Sequence, residues 1–470
     1  MIGQKLFRVL EALSSAEVTA FRKYLQSPYF NERDELVQLF ELWLQHYPIQ
    51  GRLPADEKIW LLLFPNKAFE AVLYRRLFSD LLRLCRHFLS IQNLSPENQS
   101  LGILQALNQK DLDKQFAQER NKLDQNLKKQ GLRNSDFFLT AFRAEVEQET
   151  YLLKQYKRSL KTNLDQKDYL LDCFFLSTKL KHYCNALNYK NVLNVDIPIG
   201  LVEALLEEIK DSPYLKEPAV LAYYLVMLTL KEPDQAKHFQ DLRIALADHA
   251  PCFPEQELRD LYIFAQNYCI KKINLGQQDY LRALFNLYQV MLETRIIFAD
   301  DELPPTVYKN IITLGLRLEE YDLTANFIRD YDAFLPDAHR SDAMAYNLAK
   351  LHFHKQEYDQ VIQFLRDLEY RDVYYAVDGR WLLAKTYYET DEFGALDNLL
   401  DTFRLFLMRQ KVISNANKTQ YLKQVRYLKM LSKTLPSDKK RLGNIREKIQ
   451  TTSNQAEKNW FLEKVDELLI

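Results

Sequence analysis

The sequence predicts an all-α protein whose helices stack in pairs as a helical-repeat α-solenoid, with an N-terminal helical domain in front. One segment reads three times as a helix, a tight turn and a second helix. Each turn pairs an acidic residue with an aromatic one, and successive turns lie 37 and 35 residues apart. Such a period is typical of a solenoid, because each two-helix unit buries its apolar face only against its neighbours. The copies are Tyr308–Leu335, Tyr346–Leu368 and Trp381–Phe403, with turns at Glu320-Tyr321, Glu357-Tyr358 and Glu392-Phe393.

Composition also favours helix over sheet. The 470 residues include only 10 Gly and 15 Pro, well below the usual shares of about 7% and 5%. Sheet proteins and nucleotide-binding folds with glycine loops need more turn residues than this. No run approaches the ~20 apolar residues that would span a bilayer, so we expect no membrane association.

Breaks in the helical pattern divide the chain into four predicted parts. They are an N-terminal helical domain at 1–95, degenerate helical repeats at 101–250, clearer repeats at 255–410 and basic capping helices at 411–470. The breaks are richest in turn residues at Ser95–Asn98 and Pro251–Pro254. The last helix carries Trp460 and Phe461 on one side, and we expect it to cover the apolar end of the array.

Two features stand out in the N-terminal domain. Ser14–Glu17 matches a capping box, in which a serine hydroxyl and a glutamate carboxylate satisfy free backbone N–H groups at the start of a helix. Ser27–Asn31 (SPYFN) predicts a corner between two helices, with both aromatic rings filling the core beneath it. A contact motif is the alternative interpretation of that segment.

Weaker copies of the repeat precede the three clear ones. Phe174–Leu193 is expected to be two helices joined by a turn at Asn188-Tyr189. Leu221–Ala245 has its turn at Lys231–Asp234, and Leu258–Leu292 has its turn at Gly276–Tyr280.

The sequence offers no constellation for catalysis, so we predict a protein that is not an enzyme and has no cofactor. It has no Gly-rich phosphate loop and no nucleophile motif. No two of the eight histidines lie four residues apart, which leaves no helical metal pair. The five scattered cysteines predict reduced, mostly buried thiols in a cytoplasmic protein. The net charge of −1 gives no general attraction to nucleic acid or membrane.

At residues 305–406 the repeats resemble the tetratricopeptide repeat (TPR) superfamily. The aromatic, small and apolar positions of the family pattern are Tyr346, Leu348, Ala349, Phe353 and Tyr358 in the second copy and Trp381, Leu383, Ala384, Tyr387 and Phe393 in the third. The first copy has Ile311, Leu314, Tyr321 and Pro336, but Ile312 replaces a small residue. Thr324, Val361 and Leu396 stand where Ala is usual after the turn, so the repeats are degenerate.

The resemblance implies a right-handed superhelix whose first helices line a groove for a peptide or helix of a protein partner. Aromatic and lysine side chains suit a ligand with apolar anchors and some acidic character. The alternative is that the aromatic rings only pack between repeats. Some family members clamp a peptide carboxylate; Lys309 and Asn347 match that clamp, but Thr313, Asp378 and Leu382 do not, so we reject it. The candidate partner-binding residues are Lys309, Tyr346, Asn347, Lys350, Phe353, Trp381, Lys385 and Tyr388.

Two basic helix faces support an alternative function, that of a helical regulator associated with nucleic acid. A stripe of this kind could contact phosphates. The alternative is a solvated helix face, with the charge asymmetry between the two ends guiding their packing. We therefore expect a protein partner rather than nucleic acid. The first face holds Lys154, Lys157, Arg158 and Lys161; the second holds Lys423, Arg426, Lys429 and Lys433, and an acidic segment, Arg366–Asp401, precedes the second.

Overall fold

The computed structural model describes residues 3–50, 53–155, 163–193, 195–366, 370–451 and 457–470. Over these residues the chain forms 23 α-helices and three short 3₁₀ helices and has no β-strand, so the predicted all-α class is confirmed. An isolated bridge joins Ala299 to Glu302. No helix within the described ranges has the length and apolar character needed to cross a membrane.

Backbone contacts divide the chain into two compact units. The first comprises Met1–Gly131 with Asp136–Asp172, and the second Leu132–Ser135 with Cys173–Ile470. The predicted segment boundaries near residues 95, 250 and 410 stay predictions. The first nine helices are α1 (Gln4–Glu11), α2 (Ser15–Leu25), α3 (Asp34–Gln50), α4 (Asp56–Leu63), α5 (Ala71–Gln92), α6 (Pro96–Gln109), α7 (Asp113–Gln130), α8 (Ser135–Gln155) and α9 (Leu164–Leu193).

Helices α1–α5 share one hydrophobic core. The capping box predicted at the start of α2 is present. The Ser14 hydroxyl accepts a hydrogen bond from the backbone N–H of Glu17 at 3.3 Å, and the Glu17 carboxylate accepts one from the backbone N–H of Ser14 at 2.8 Å. The core buries several aromatic rings, namely Phe21, Phe40, Trp60, Tyr74 and Phe88.

The Ser27–Asn31 segment is a corner between α2 and α3, but only one of its two rings packs on the core. Phe30 stacks on Tyr24 with ring centroids 4.5 Å apart. Tyr29 is 87% exposed, so the prediction that both rings fill the core is wrong for Tyr29. The backbone N–H of Phe30 closes a tight turn on the carbonyl of Ser27, and neighbouring side chains on such a turn point in different directions.

The later helices of the second unit pack as consecutive pairs. Contacts join α11 to α12, α13 to α14, α15 to α16, α17 to α18 and α19 to α20, and α17 also contacts α15 and α19. The three predicted copies and the two pairs predicted before them are therefore present. The helices are α10 (Val202–Ile209), α11 (Pro218–Lys231), α12 (Ala236–His249), α13 (Glu255–Asn274), α14 (Asp279–Glu293), α15 (Pro305–Arg317), α16 (Tyr321–Tyr331), α17 (Asp337–His354), α18 (Tyr358–Leu365), α19 (Val373–Glu389), α20 (Phe393–Arg409), α21 (Asn415–Ser432), α22 (Lys439–Thr451) and α23 (Lys458–Leu469).

The turns of the three clear copies have the same backbone geometry. Glu319, Gln356 and Asp391 adopt positive φ angles of 60°, 61° and 58°. In each turn the next residue donates its N–H to the carbonyl five positions earlier, at 2.9 Å in all three. This arrangement is a Schellman-type helix end, which satisfies carbonyl groups that the helix leaves free. Gly276 takes the equivalent place between α13 and α14 with φ 90°.

The repeat predicted at Phe174–Leu193 is wrong. Asn188 and Tyr189 lie inside α9, which continues unbroken to Leu193. The segment contains neither Gly nor Pro, and Asn and Tyr are only mildly unfavourable inside a helix. No glycine or proline interrupts the helix there.

Candidate functional site

The predicted partner-binding residues lie on three successive first helices of the pairs. Lys309 is on α15, and Trp381, Lys385 and Tyr388 are on α19; the other four are on α17. Their side chains contact one another and residues of α21. We call this set of contacting side chains on α15, α17, α19 and α21 the inner face.

A polar network ties the N-terminal half of the inner face together. The Lys309 ammonium donates to one carboxylate oxygen of Asp378 on α19, and the Tyr421 hydroxyl of α21 donates to the other. Lys309 also lies 5.5 Å from the ring centroid of Tyr346, and that ring packs on Tyr375 at 5.6 Å. Lys309 therefore already has an internal carboxylate partner.

Lys350 lies in the middle of the inner face, and no carboxylate of the described residues forms an ion pair with it. Its ammonium donates a 2.8 Å hydrogen bond to the hydroxyl of Thr313 on α15. Burial, followed by repulsion from Lys309, lowers the pKa of Lys350 to about 8. Asn347 on the same helix is fully buried and donates to the carbonyl of Ala343 at 2.8 Å. Asn347 is thus a core residue.

The C-terminal helix α23 covers the other half of the inner face. The ring of Trp381 lies 6.4 Å from that of Trp460 and 5.9 Å from that of Phe461, and Trp381 is only 5% exposed. Tyr388 packs edge-on against Trp460 at 5.7 Å, and burial raises the pKa of its hydroxyl to about 12. The apolar surface that the last helix covers is thus formed by Trp381 and Tyr388.

Polar contacts fix α23 in this position. The Glu389 carboxylate accepts from the Trp460 indole at 2.7 Å and from the Lys464 ammonium at 2.9 Å. Lys385 donates to Glu457 at 3.0 Å, just before α23 begins, and its ammonium lies 4.6 Å from the ring centroid of Phe353. Hydrogen bonds across a buried aromatic contact position the helix as well as stabilise it.

A cavity of about 580 Å³ lies at the uncovered end of the inner face. It opens beside the N-terminal ends of α15, α17, α19 and α21. Tyr374 is 50% exposed at this cavity, whereas Tyr375 beside it is buried. The Asp372 carboxylate caps α19 by accepting from the backbone N–H groups of both tyrosines. The lining residues are Pro305, Thr306, Lys309, His339, Asp372, Tyr374, Tyr375, Val377, Asp378, Ile413, Asn417 and Tyr421.

Only Lys309 of the eight predicted residues lines this cavity. Five of the other cavity residues, which lie on α17 or at the start of α19, were missed because these helices begin nine and eight residues before the predicted copies at Tyr346 and Trp381. A signal for the earlier start was available. Asp372 followed by an apolar and aromatic run is a typical N-cap.

The basic faces give a mixed result. Lys157, Arg158 and Lys161 lie outside the described residues, and Lys154 is paired with Asp111 at 2.7 Å. On the second face, Lys429 lies 2.6 Å from Asp401 and 3.4 Å from Asp397, and Lys433 lies 3.0 Å from Asp397. Two carboxylates of α20 thus neutralise part of basic α21, and these ion pairs join the two helices.

Across the described ranges, no group of three or more His, Cys, Asp or Glu side chains is arranged to hold a metal ion. The sequence matches no protein-family model, and neither a curated protein nor a solved structure matches it.

Proposed function

We propose that this chain is a non-catalytic protein–protein interaction or scaffold protein that binds a segment of a partner in the cavity of the inner face. The observation that carries the proposal is the cavity itself. Pockets that bind ligands are usually concave, mostly apolar and furnished with a few converging polar groups. Here Tyr374 and Val377 supply apolar wall, while Asp378 and Lys309 supply polar groups.

We further propose that the second unit is a right-handed TPR-like α-solenoid and that the inner face is its concave side. The repeated turn geometry at Glu319, Gln356 and Asp391 supports a regular repeat. The contact between Lys309 of α15 and Asp378 of α19 joins first helices that are two pairs apart. When an array of helix pairs curves, side chains on its concave side can meet across the pair that lies between them. The contact between Lys309 and Asp378 therefore supports a concave inner face.

The bound segment is expected to use apolar anchors more than acidic ones. Lys309 and Lys385 would attract acidic side chains, but each already contacts a carboxylate, Asp378 and Glu457 respectively. The exposed ring of Tyr374 is a typical anchor position, because aromatic residues dominate the energetics of protein interfaces.

The nucleic-acid alternative has less support. Phosphate binding requires cations that are free to replace counterions. Lys429 and Lys433 are instead paired with carboxylates of α20. Binding of generic RNA or DNA, measured at low and raised salt, would restore this alternative if it were salt-sensitive.

A cytoplasmic location is also part of the proposal. None of the five cysteines forms a disulfide, and four of them are buried. Burial raises the pKa of Cys85 to about 11 and that of Cys269 to about 12. Thiols held protonated in this way are inert, which fits a reducing compartment.

The test is capture of the partner with the tagged full-length chain, followed by mass spectrometry with and without nuclease. A defined protein that survives nuclease should be retained by wild type and by Tyr29→Ala, and lost by Tyr374→Ala. Tyr29 is the control, since it is also an exposed tyrosine but lies in the first unit. Equal retention by both variants would refute the cavity as the binding site.

A further inference from the structure

The Lys350 ammonium on the inner face carries a positive charge that the surrounding side chains do not balance. Four charged groups act on it. Lys309 and Lys385 repel it, while the carboxylates of Asp378 and Glu457 attract it. Each of those carboxylates is already bonded to one of the two other lysines. Together with Lys350, the cluster therefore has three cations and two anions.

The neighbouring titratable groups do not supply the missing negative charge. Burial and the nearby lysines lower the pKa of His354 to about 4, so its imidazole is neutral at pH 7. Burial raises the pKa of the Tyr346 and Tyr421 hydroxyls well above the usual value, so these groups are neutral too. Lys350 itself, with its pKa lowered by burial to about 8, is mostly charged at pH 7. A net positive charge thus remains.

The Lys350 ammonium also has unused hydrogen-bonding capacity. It has three N–H donors, and the hydroxyl of Thr313 accepts one of them at 2.8 Å. No further acceptor from the described part of the chain is bonded to it. A partly buried charge that lacks partners is unfavourable, so a ligand with an anionic acceptor would be stabilised at this position.

Lys350 lies next to the cavity of the proposed function. Thr306 and Lys309 line that cavity at the N-terminal end of α15. Thr313 lies one turn further along the same helix, about 5.4 Å from Lys309, and Lys350 is bonded to it. Lys350 is itself partly exposed. A side chain that reaches inward from a segment in the cavity therefore meets the Lys350 ammonium.

We propose that the partner segment bound in the cavity inserts one acidic side chain, an aspartate or a glutamate, which pairs with Lys350. This inference rests on the proposed function and specifies the chemistry of its partner. A single carboxylate makes the cluster neutral, whereas a phosphate group, with a charge of about −1.5 to −2, would make it negative. The acidic side chain accompanies the apolar anchor at Tyr374 and does not replace it.

The proposal also separates the binding role of Lys350 from its effect on stability. An unpaired ammonium in a partly buried site opposes folding. Lys350→Met removes that charge, so it should stabilise the free protein and at the same time weaken the complex. A residue with a purely structural role would not give these opposite effects.

The test selects linear peptides from a displayed library on the full-length chain and measures their affinities for wild type, Lys350→Met and Tyr374→Ala. Peptides that lose affinity for Tyr374→Ala are bound at the cavity. These peptides should contain an acidic residue whose replacement by its amide weakens binding to wild type at least ten-fold. The same replacement should hardly change binding to Lys350→Met. Lys423→Met, at an exposed position on α21, is the control and should bind the peptides like wild type.

Two results would overturn this proposal and leave the cavity site intact. One is that peptides bound at the cavity need no acidic residue, or need it equally for Lys350→Met. The other is that they depend on a free C-terminal carboxylate, so that amidation of the peptide terminus abolishes binding. A library without any peptide sensitive to Tyr374→Ala would instead contradict the proposed function as well.

Discussion

Trp460 of the last helix lies edge-on to Trp381 of α19, with ring centroids 6.4 Å apart. Trp381 was predicted as an anchor for a partner segment, and it instead anchors the chain's own C-terminal helix. The first testable consequence is that Trp381→Ala removes buried contacts and lowers the free energy of unfolding by about 3–5 kcal/mol. Urea denaturation followed by far-ultraviolet circular dichroism would measure this, with Tyr374→Ala as the exposed comparison. An unchanged unfolding midpoint for Trp381→Ala would contradict the packing described for α23.

Lys350 should make stability depend on pH. Its pKa falls from 10.5 to about 8 on folding, so the folded state binds this proton less tightly than the unfolded state. Below pH 8 the ammonium is charged in both states, and its burial fully opposes folding. As pH rises from about 8 to 10.5 the folded state loses the proton first, and the opposition disappears.

Lys350→Met is therefore expected to be more stable than wild type at pH 7, and this advantage should shrink as pH rises from about 8 to 10.5. The Thr313 hydroxyl keeps a partner in the variant, because it donates to the carbonyl of Lys309 at 2.7 Å. Unfolding free energies measured across the pH range would test this. Lys423→Met, at an exposed position on α21, should show no such trend; a constant difference for Lys350→Met would contradict its pKa shift.

Replacing either of two nearby glutamines by glycine is predicted to change stability in opposite directions, because one lies in a repeated turn and the other inside a helix. Gln356 holds a φ of 61°, a conformation that disfavours side chains by roughly 1–2 kcal/mol. After allowance for the greater freedom of glycine in the unfolded chain, Gln356→Gly should stabilise the protein by about 0.5–1 kcal/mol. Gln363→Gly, at an exposed position inside α18, should destabilise it by about 1 kcal/mol. Thermal unfolding of the two variants distinguishes them, and destabilisation by both would be inconsistent with the turn geometry.

Gly315 and Thr324 are predicted to be coupled. A Cβ added at Gly315 would lie 2.2 Å from the Thr324 hydroxyl oxygen and 3.4 Å from its Cβ. Gly315→Ala alone should destabilise the α15–α16 pair by about 1–3 kcal/mol through overpacking. With Thr324→Ala the remaining contact is ordinary, so the double variant should recover most of that loss. A double-mutant cycle measures the coupling; strictly additive effects would show that the two positions do not meet.

The sequence predicts the pairs best where turn chemistry is explicit. The acidic-aromatic turns at 320, 357 and 392 and the glycine turn at 276 all fall between helices. The turn predicted at Asn188 is wrong: the segment has neither Gly nor Pro, and Asn188 lies inside α9. Local signals thus locate helix ends, but they do not show how far a first helix extends towards its N-terminus.

The site is less predictable than the pairs. The eight predicted side chains lie on α15, α17 and α19, yet their contacts depend on distant parts of the chain. Asp378 and Glu457 neutralise Lys309 and Lys385 from 69 and 72 residues away. Such pairings follow from packing, and a repeat pattern does not encode them.

Site-specific photo-crosslinking tests the proposed function most directly. A benzoylphenylalanine placed at Tyr374 should crosslink the captured partner at the inner-face cavity, and the crosslinked peptide can be sequenced. The same group at Tyr29 should crosslink nothing specific, since that residue is even more exposed than Tyr374 but lies in the first unit. A crosslink to one defined partner segment at Tyr374 alone is the result we predict. Absence of that crosslink, or an equal yield at Tyr29, would contradict the cavity as the binding site.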